Sequence, residues 1–327
     1  PVVTNNPSHD ELADLPNAPT NDQLNRFIAS RLPKTGHPLA EAARHHFSNM
    51  GKMLRARMAL KAGYLLDVDQ AAALHWAIAV EMMHNASLIH DDICDGDLFR
   101  RGRPTVSTKF GSNVELALGD WLVALSFEIA AEAAQRSQTP MLVKILATHM
   151  KTTTLGQASE FDIQRSYSWQ NYLQISADKT APLLSAPLDG ILTMSLHGDV
   201  IANIASDLRL LGIAYQIAND ILNILGNDGA EATGSDLRRR APNAVIVIYR
   251  EELDDPTKDN FDSWFLSRCN VNLETWQRKI SDSSAMHIAA KEMLAMLQES
   301  ERLITSLPVA LTAVINPVLQ MLRNLFQ

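Results

Sequence analysis

Ile201, Ile204, Leu208, Leu211, Tyr215, Ala218, Leu222 and Leu225 recur at alternating spacings of three and four. That spacing lays one apolar stripe along about seven turns of α-helix. A chain with so long an apolar stripe must supply other helices to cover it. Helical spacing is predicted from near Asn21–Asp22, then over Glu41 to Leu65, Gln70 to His90, Asn113 to Ala134, Pro140 to Ser166 and Trp169 to Leu196. Gln70 to His90 is apolar almost all round, which predicts a helix inside the core. The loop Gly226 to Pro242 is polar and charged, and three or four further helices are expected to complete the chain. No segment alternates as a strand would, and no internal repeat appears. The fold class expected is all-α. Residues 1–20, with four prolines, are expected to form a flexible lead, and residues 21–327 a single helical domain.

Composition narrows the function. Apolar residues make up 46% and charged residues 20% of the chain, the balance of a globular protein. The formal charge of -8 argues against a general nucleic-acid binder, which needs a basic surface. Cys94 and Cys269 lie too far apart, and are too few, for a disulfide scaffold or a multi-cysteine zinc site. No apolar run reaches the ~18 residues of a membrane span, and no leader-like segment opens the sequence at Pro1. The expectation is a soluble, cytoplasmic protein.

The most informative segment runs from Leu88 to Thr105, LIHDDICDGDLFRRGRPT. Asp91 and Asp95 stand four apart on a helix, so their carboxylates share a face and repel each other by a few tenths of a kcal/mol unless a cation bridges them. Hard oxygen ligands with no cysteine or histidine set beside them suit Mg²⁺, which binds through carboxylates together with substrate phosphates. Arg100, Arg101 and Arg103 follow, with the fork geometry that suits phosphate oxygens. Taken alone, the segment also reads as a solvated acidic helix end and a basic turn. By the same plain reading Lys52 and Arg55 are surface charges and His84 is a core histidine.

Residues Glu81 to Asp95, followed by RRGRPT, resemble the first aspartate-rich region of trans-isoprenyl diphosphate synthases, the polyprenyl synthetase family. Gly51-Lys52-Met53-Leu54-Arg55 resembles the family's GKxxR element, Gly156-Gln157 falls on a later helix, and Lys179-Thr180 resembles its KT pair. Gln216-Ile217-Ala218-Asn219-Asp220 stands where a second aspartate-rich motif is expected. The resemblance spans about residues 40 to 245 and implies a helical bundle around a central apolar cavity. It also implies a Mg²⁺-dependent condensation of isopentenyl diphosphate with an allylic diphosphate, and a homodimer. Carried over by position, Asp91, Asp92, Asp95, Asn219 and Asp220 would ligate or orient Mg²⁺. Arg100, Lys179, Thr180 and Gln216 would hold the allylic diphosphate. Lys52, Arg55, His84 and Arg101 would hold isopentenyl diphosphate.

The second motif departs from the family's DDxxD, reading Asn219-Asp220-Ile221-Leu222-Asn223, and an amide oxygen binds Mg²⁺ more weakly than a carboxylate. Gln216, Asn219, Asp220 and Asn223 form a polar stripe opposite the apolar one, which suggests that it faces a polar site. Two lysines of the family pattern are replaced by Glu231 and Ala241, with Arg238, Arg239 and Arg240 close enough to compensate. Two alternatives stay open: a class I cyclase or a prenyltransferase with another acceptor, since Asn219-Asp220, Asn223 and Asn227 resemble an NDxxSxxxE motif imperfectly, and a non-catalytic subunit of a heteromeric synthase. In the family, residues just before the first aspartate floor the product tunnel. Ser87 and Ala86 are small, with Met83 and Met82 deeper, which predicts a product of C20 or longer.

Overall fold

The computed structural model describes residues 19, 21–162, 168–226 and 234–325. The expected lead over 1–20 lies outside them except for Pro19, as do Asn227 and Glu231. Among the described residues the chain is almost wholly helical, with α1 (Asn21–Arg31), α2 (Ala40–Phe47), α3 (Leu54–Leu65) and α4 (Gln70–Asp95) at the start. A two-residue hairpin, β1 (Phe99–Arg100) and β2 (Arg103–Pro104), leads to α5 (Val106–Phe110). The bundle continues with α6 (Ser112–Ser137), α7 (Met141–Glu160), α8 (Trp169–Met194), α9 (Ile201–Leu225), α10 (Ser235–Arg239) and α11 (Ala244–Glu251). It closes with α12 (Asp255–Ser267), α13 (Leu273–Ser281), α14 (Ala285–Ile304) and α15 (Val309–Arg323). None of these helices is long and apolar enough to cross a membrane.

Helix α4 is the axis of the bundle. Asp69 caps its start by accepting from the Ala72 amide, and Gly96 ends it in the left-handed region at φ 67°. Its many alanines let α6 pack closely along it, while α7 pairs with α8, α8 with α9, and α9 with α14. Trp76, fully buried, crosses from α4 to α8, where its indole N–H donates to the Ala186 and Pro187 carbonyls at 3.2 and 3.1 Å. Gly190 opposite it leaves no room for a side chain: a Cβ there would lie 2.0 Å from the indole.

Three expectations need correction. The helix expected over Glu41–Leu65 is two helices, because Gly51 at φ 65° and Met53 at φ 46° turn the backbone out of the helical region. The loop Gly226–Pro242 contains the short helix α10, and five helices rather than three or four follow it. In α9 burial extends well beyond the predicted stripe, to Ile213, Ile217, Ile221 and Ile224, whereas Leu225 is 47% exposed.

Candidate active site

The acidic motif occupies the last turns of α4, so Asp91, Asp92 and Asp95 stand at the negative end of a 26-residue helix dipole. Burial pushes the carboxyl groups of both Asp91 and Asp92 above their ordinary range. Carboxylates so placed call for cations. The chain supplies one through the hairpin: Arg101 at φ 53° and Gly102 at φ 73° form its turn, pairing Arg100 with Arg103. This folds Arg100 back onto Asp92, whose Oδ1 accepts from Nε at 2.6 Å and lies 2.6 Å from Nη2. Asp91 accepts no such bond among the described residues, and its face is shared with Asp95.

Lys179 comes from α8. Two glycines seat it there: a Cβ on Gly156 of α7 would lie 2.5 Å from the Lys179 amide nitrogen, and one on Gly212 of α9 would lie 2.9 Å from Ala181 Cα. Three helix backbones therefore meet around residues 178–181. Lys179 Nζ bonds Glu160 at 2.7 Å. Burial acts to lower the Lys179 pKa, but Glu160, Asp91 and Asp95 outweigh it and keep the ammonium charged. Burial raises Glu160 to about 6 despite that pairing.

Of the residues expected to hold isopentenyl diphosphate, Arg55 and Arg101 lie within electrostatic reach of His84, which stands seven residues before Asp91 on the same face of α4. Arg55 donates from Nε to the Leu183 carbonyl at 3.0 Å, an acceptor left free because Pro187, inside α8, has no N–H to offer it. The Arg101 guanidinium lies against Gly51, where any Cβ would come within 2.6 Å of it, and donates to the Asn49 carbonyl at 3.0 Å. Lys52, exposed, sits on the same turn. Burial, followed by the charges of Arg55, Arg101 and Arg100, drives His84 well below its usual pKa, so its ring is neutral. His45, His46 and Asn49 line a neighbouring pocket with Asp92, Arg100 and Arg101, to which Lys52, Arg55 and His84 do not contribute. The sequence reading did not single out His45, His46 or Asn49. His46, bonded to Asn85 at 2.9 Å, is lowered to about 4, chiefly by burial.

The second motif is placed differently from the first. Thr180 Oγ1 donates to Gln216 Oε1 at 3.3 Å, and Gln216 Nε2 donates to Asp220 Oδ1 at 2.9 Å. The other Asp220 oxygen accepts from the Tyr172 hydroxyl at 2.6 Å and the Ala244 amide at 2.7 Å. Asn223 Oδ1 accepts from the Asp236 amide at 3.3 Å while its Nδ2 donates to Ser235 Oγ at 2.7 Å. The polar stripe of α9 thus faces α10 and α11 as much as a cleft. Asn219, half-buried, is the side chain of the stripe that makes no hydrogen bond of this kind among the described residues.

Arg239, at the end of α10, reaches Asp95 Oδ2 at 3.1 Å, Asp97 Oδ1 at 3.0 Å and Asp236 Oδ1 at 2.5 Å. Neither this contact nor the partnership of Glu160 with Lys179 was anticipated. Glu160 stands four residues after Gly156, on the same α7 face, which is a usable signal. Arg239 carried none beyond its place in a run of three. Among the described residues no three His, Cys, Asp or Glu side chains form a closed metal cage. Asp91 and Asp95, four residues apart, share one face of α4.

Residues 37–272 match the family model for polyprenyl synthetases. A geranylgeranyl diphosphate synthase from Saccharolobus solfataricus is 34% identical over 248 residues, 73% of this chain and 72% of that protein. Component 2 of a heptaprenyl diphosphate synthase from Geobacillus stearothermophilus is 30% identical over 225 residues, 67% of this chain and 68% of that one. Among solved structures, a geranylgeranyl pyrophosphate synthetase from Pyrococcus horikoshii superposes with a TM-score of 0.77 at 25% identity, covering 91% of this chain and 94% of that one.

Proposed function

This chain belongs to the polyprenyl synthetase family and is a prenyl-chain-elongating transferase, and from that premise we propose that the end of α4 is where isopentenyl diphosphate is condensed with an allylic diphosphate. The observation that carries the assignment is the pair Asp91 and Asp95 on one face at the negative end of α4. Arg100 and Lys179 flank it, and Asp91 is raised in pKa by burial and has no hydrogen-bond donor of its own. Such a donor set fits Mg²⁺, which Asp91 and Asp95 would hold, with Asn219 of α9 as a neutral side chain available to it. When bound, Mg²⁺ neutralises diphosphate charge as the allylic C–O bond breaks.

The remaining work falls to the chain's own side chains. Arg100 and Lys179 sit where a departing diphosphate would be stabilised by charge already in place, which lowers the barrier to charge separation. Asp92 fixes the Arg100 fork, and Glu160 fixes Lys179. Thr180 and Gln216, bonded to each other, present polar edges to the same diphosphate. Lys52, Arg55, Arg101 and a neutral His84, which stands two turns before Asp91 on the same face of α4, hold the second diphosphate. The fully buried Met83, Ala86 and Ile89 behind the aspartates keep out water that would quench that cation. The released diphosphate can take the proton lost in forming the new double bond.

The placement of Asn223 speaks against the cyclase alternative: its oxygen and nitrogen are engaged with Asp236 and Ser235. Ala86 and Ser87 before Asp91 support a product of C20 or longer. A cytoplasmic homodimer built from a single catalytic domain over 21–327 completes the reading. The test is incubation with Mg²⁺, isopentenyl diphosphate and, in turn, C5, C10 and C15 allylic diphosphates, with products resolved by mass spectrometry. Longer diphosphates that require isopentenyl diphosphate are expected. Hydrocarbon or alcohol from the allylic diphosphate alone would overturn the assignment, and no turnover by the isolated chain would favour a partner-dependent subunit.

A further inference from the structure

We propose that Arg239 is a built-in cation of the active site, a positioning residue that holds Asp95 and keeps an additional divalent ion from settling between α4 and α10. The proposal rests on the assignment of Asp91 and Asp95 to metal and diphosphate binding, and it adds a different residue on a different element. Asp95, Asp97 and Asp236 converge on this one guanidinium at 3.1, 3.0 and 2.5 Å. Three carboxylates that close repel one another strongly without a cation among them. An arginine fork, with five N–H donors fixed in one plane, can serve both sides of such a gap where a lysine serves one point.

The facing helix explains why an arginine is needed. Where a second acidic motif would draw a metal ion by charge, α9 offers the amides Asn219 and Asn223. Its remaining carboxylate, Asp220, already accepts from Tyr172, Gln216 and Ala244. The lysine expected near the end of α10 is replaced by Ala241. Positive charge on this side of the cleft is therefore delivered by Arg239.

Its two arginine neighbours do other work. Arg238 is exposed. Arg240, at φ 62°, turns its guanidinium away onto the Trp264 ring, 3.9 Å from the centroid, and donates to the Cys269 carbonyl at 2.7 Å. That anchor fixes the end of α10. Asn223 and Ser235 fix its start, and Asn243 donates to Asp236 at 2.9 Å. Arg239 is thus held out toward Asp95 from a helix tied at both ends, as a preorganised charge must be.

The experiment counts Mn²⁺ bound to the full chain in the presence of inorganic diphosphate, by electron paramagnetic resonance, for wild type, Arg239→Gln and Arg239→Lys. Arg239→Gln should take up one more Mn²⁺ per chain than wild type, because Asp95, Asp97 and Asp236 then lose the cation they share. Arg239→Lys, which puts a single point charge in place of the fork, should give a count between the two. An unchanged count in a folded Arg239→Gln chain, with a thermal transition still present, overturns the proposal. No Mn²⁺ uptake by wild type overturns the site assignment itself and this inference with it. Should Arg239→Gln not fold, the wild-type Arg239 Nε–H resonance decides during Mg²⁺ and diphosphate titration. A signal that persists at saturation supports a resident guanidinium, and its loss to solvent exchange overturns it.

Discussion

The Tyr172 hydroxyl donates to Asp220 at 2.6 Å, so an aspartate in the position of a metal ligand is a joint between α8 and α9. Gln216 and the Ala244 amide complete its surroundings. Asp220 is buried, and burial, then the nearby Asp236, raises it to about 8. Removing a buried acceptor leaves several donors unmet. Asp220→Ala is expected to destabilise the fold by about 3 kcal/mol and Tyr172→Phe by about 1–2 kcal/mol. Urea unfolding of both variants checks this. Equal stability of Asp220→Ala and wild type would mean that the joint is not formed in solution.

Neighbouring aspartates should respond oppositely. Asp92 is satisfied by Arg100, whereas Asp91 is desolvated without a donor. Asp91→Asn is expected to lower kcat/KM by about 10²–10³, the range for loss of a preorganised electrostatic group. It should also raise the thermal midpoint of the metal-free chain, since a buried carboxylate of raised pKa destabilises the fold once ionised. Asp92→Asn loosens Arg100, so it should lower stability and raise the KM for the allylic diphosphate more than it lowers kcat. Steady-state kinetics and calorimetry without metal separate the two.

The helices were legible where periodicity is long: α4, α6 and α8 lie within a few residues of their predicted spans, because fully apolar faces admit one arrangement. The break between α2 and α3 was not, since it depends on left-handed conformations at Gly51 and Met53 that sequence spacing does not report. Five residues of α10 are too few to show a period. Asp91, Arg100 and Lys179 were singled out together by their resemblance to family motifs, and the fold brings them within electrostatic reach of one another. Glu160 and Arg239 act through partners brought near only by tertiary packing. The polar stripe on α9 was read as facing a metal site, yet Asp220 and Asn223 of that stripe bond to α8, α10 and α11 instead. A buried polar side chain satisfied by a neighbouring helix has the same sequence signature as one facing a ligand.

Gly156 lets α7 approach α8 by having no side chain. Its Cα lies so close to α8 that an added methyl would sit 2.5 Å from a backbone nitrogen, which no rotamer change relieves. Gly156→Ala must push α7 from α8. A loss of about 1–3 kcal/mol is expected from overpacking, together with a fall in kcat from displacement of Lys179. Binding of the allylic diphosphate, measured by calorimetry, should weaken in parallel. Full activity in this variant would show that Lys179 does not depend on the close approach.

Asp207 gives a pH-dependent test remote from the site. It is fully buried between α9 and α14, bonded to Ser300, and burial raises its carboxyl to about 6. A raised folded-state value means that the neutral acid favours folding. That contribution is present in full below about pH 4 and is lost as pH rises through about 6, on the order of 3 kcal/mol. Asp207→Asn keeps the group neutral at every pH. Its thermal midpoint should exceed that of wild type at pH 8 and match or fall below it at pH 4. A gain of the same size at both values would mean that ionisation of Asp207 is not the cause.

Product length should answer to Ala86. It lies five residues before Asp91, about 7.5 Å deeper along the helix axis, and Met83 lies about 12 Å deeper. Both are fully buried, so a growing chain that enters beside α4 meets a small side chain first and a methionine beyond it. Ala86→Phe places a ring at the first level and should shorten the dominant product by at least one isoprene unit. Met83→Ala removes the deeper stop and should lengthen it, at a stability cost of about 2–5 kcal/mol. Mass spectrometry of products at matched turnover reads both variants, with thermal unfolding to confirm that each remains folded. Opposite shifts would place the floor of the cavity on this face of α4. Unchanged distributions in both variants would move it to another helix, and α8 across the bundle, where Trp76 meets Gly190, is the next place to substitute.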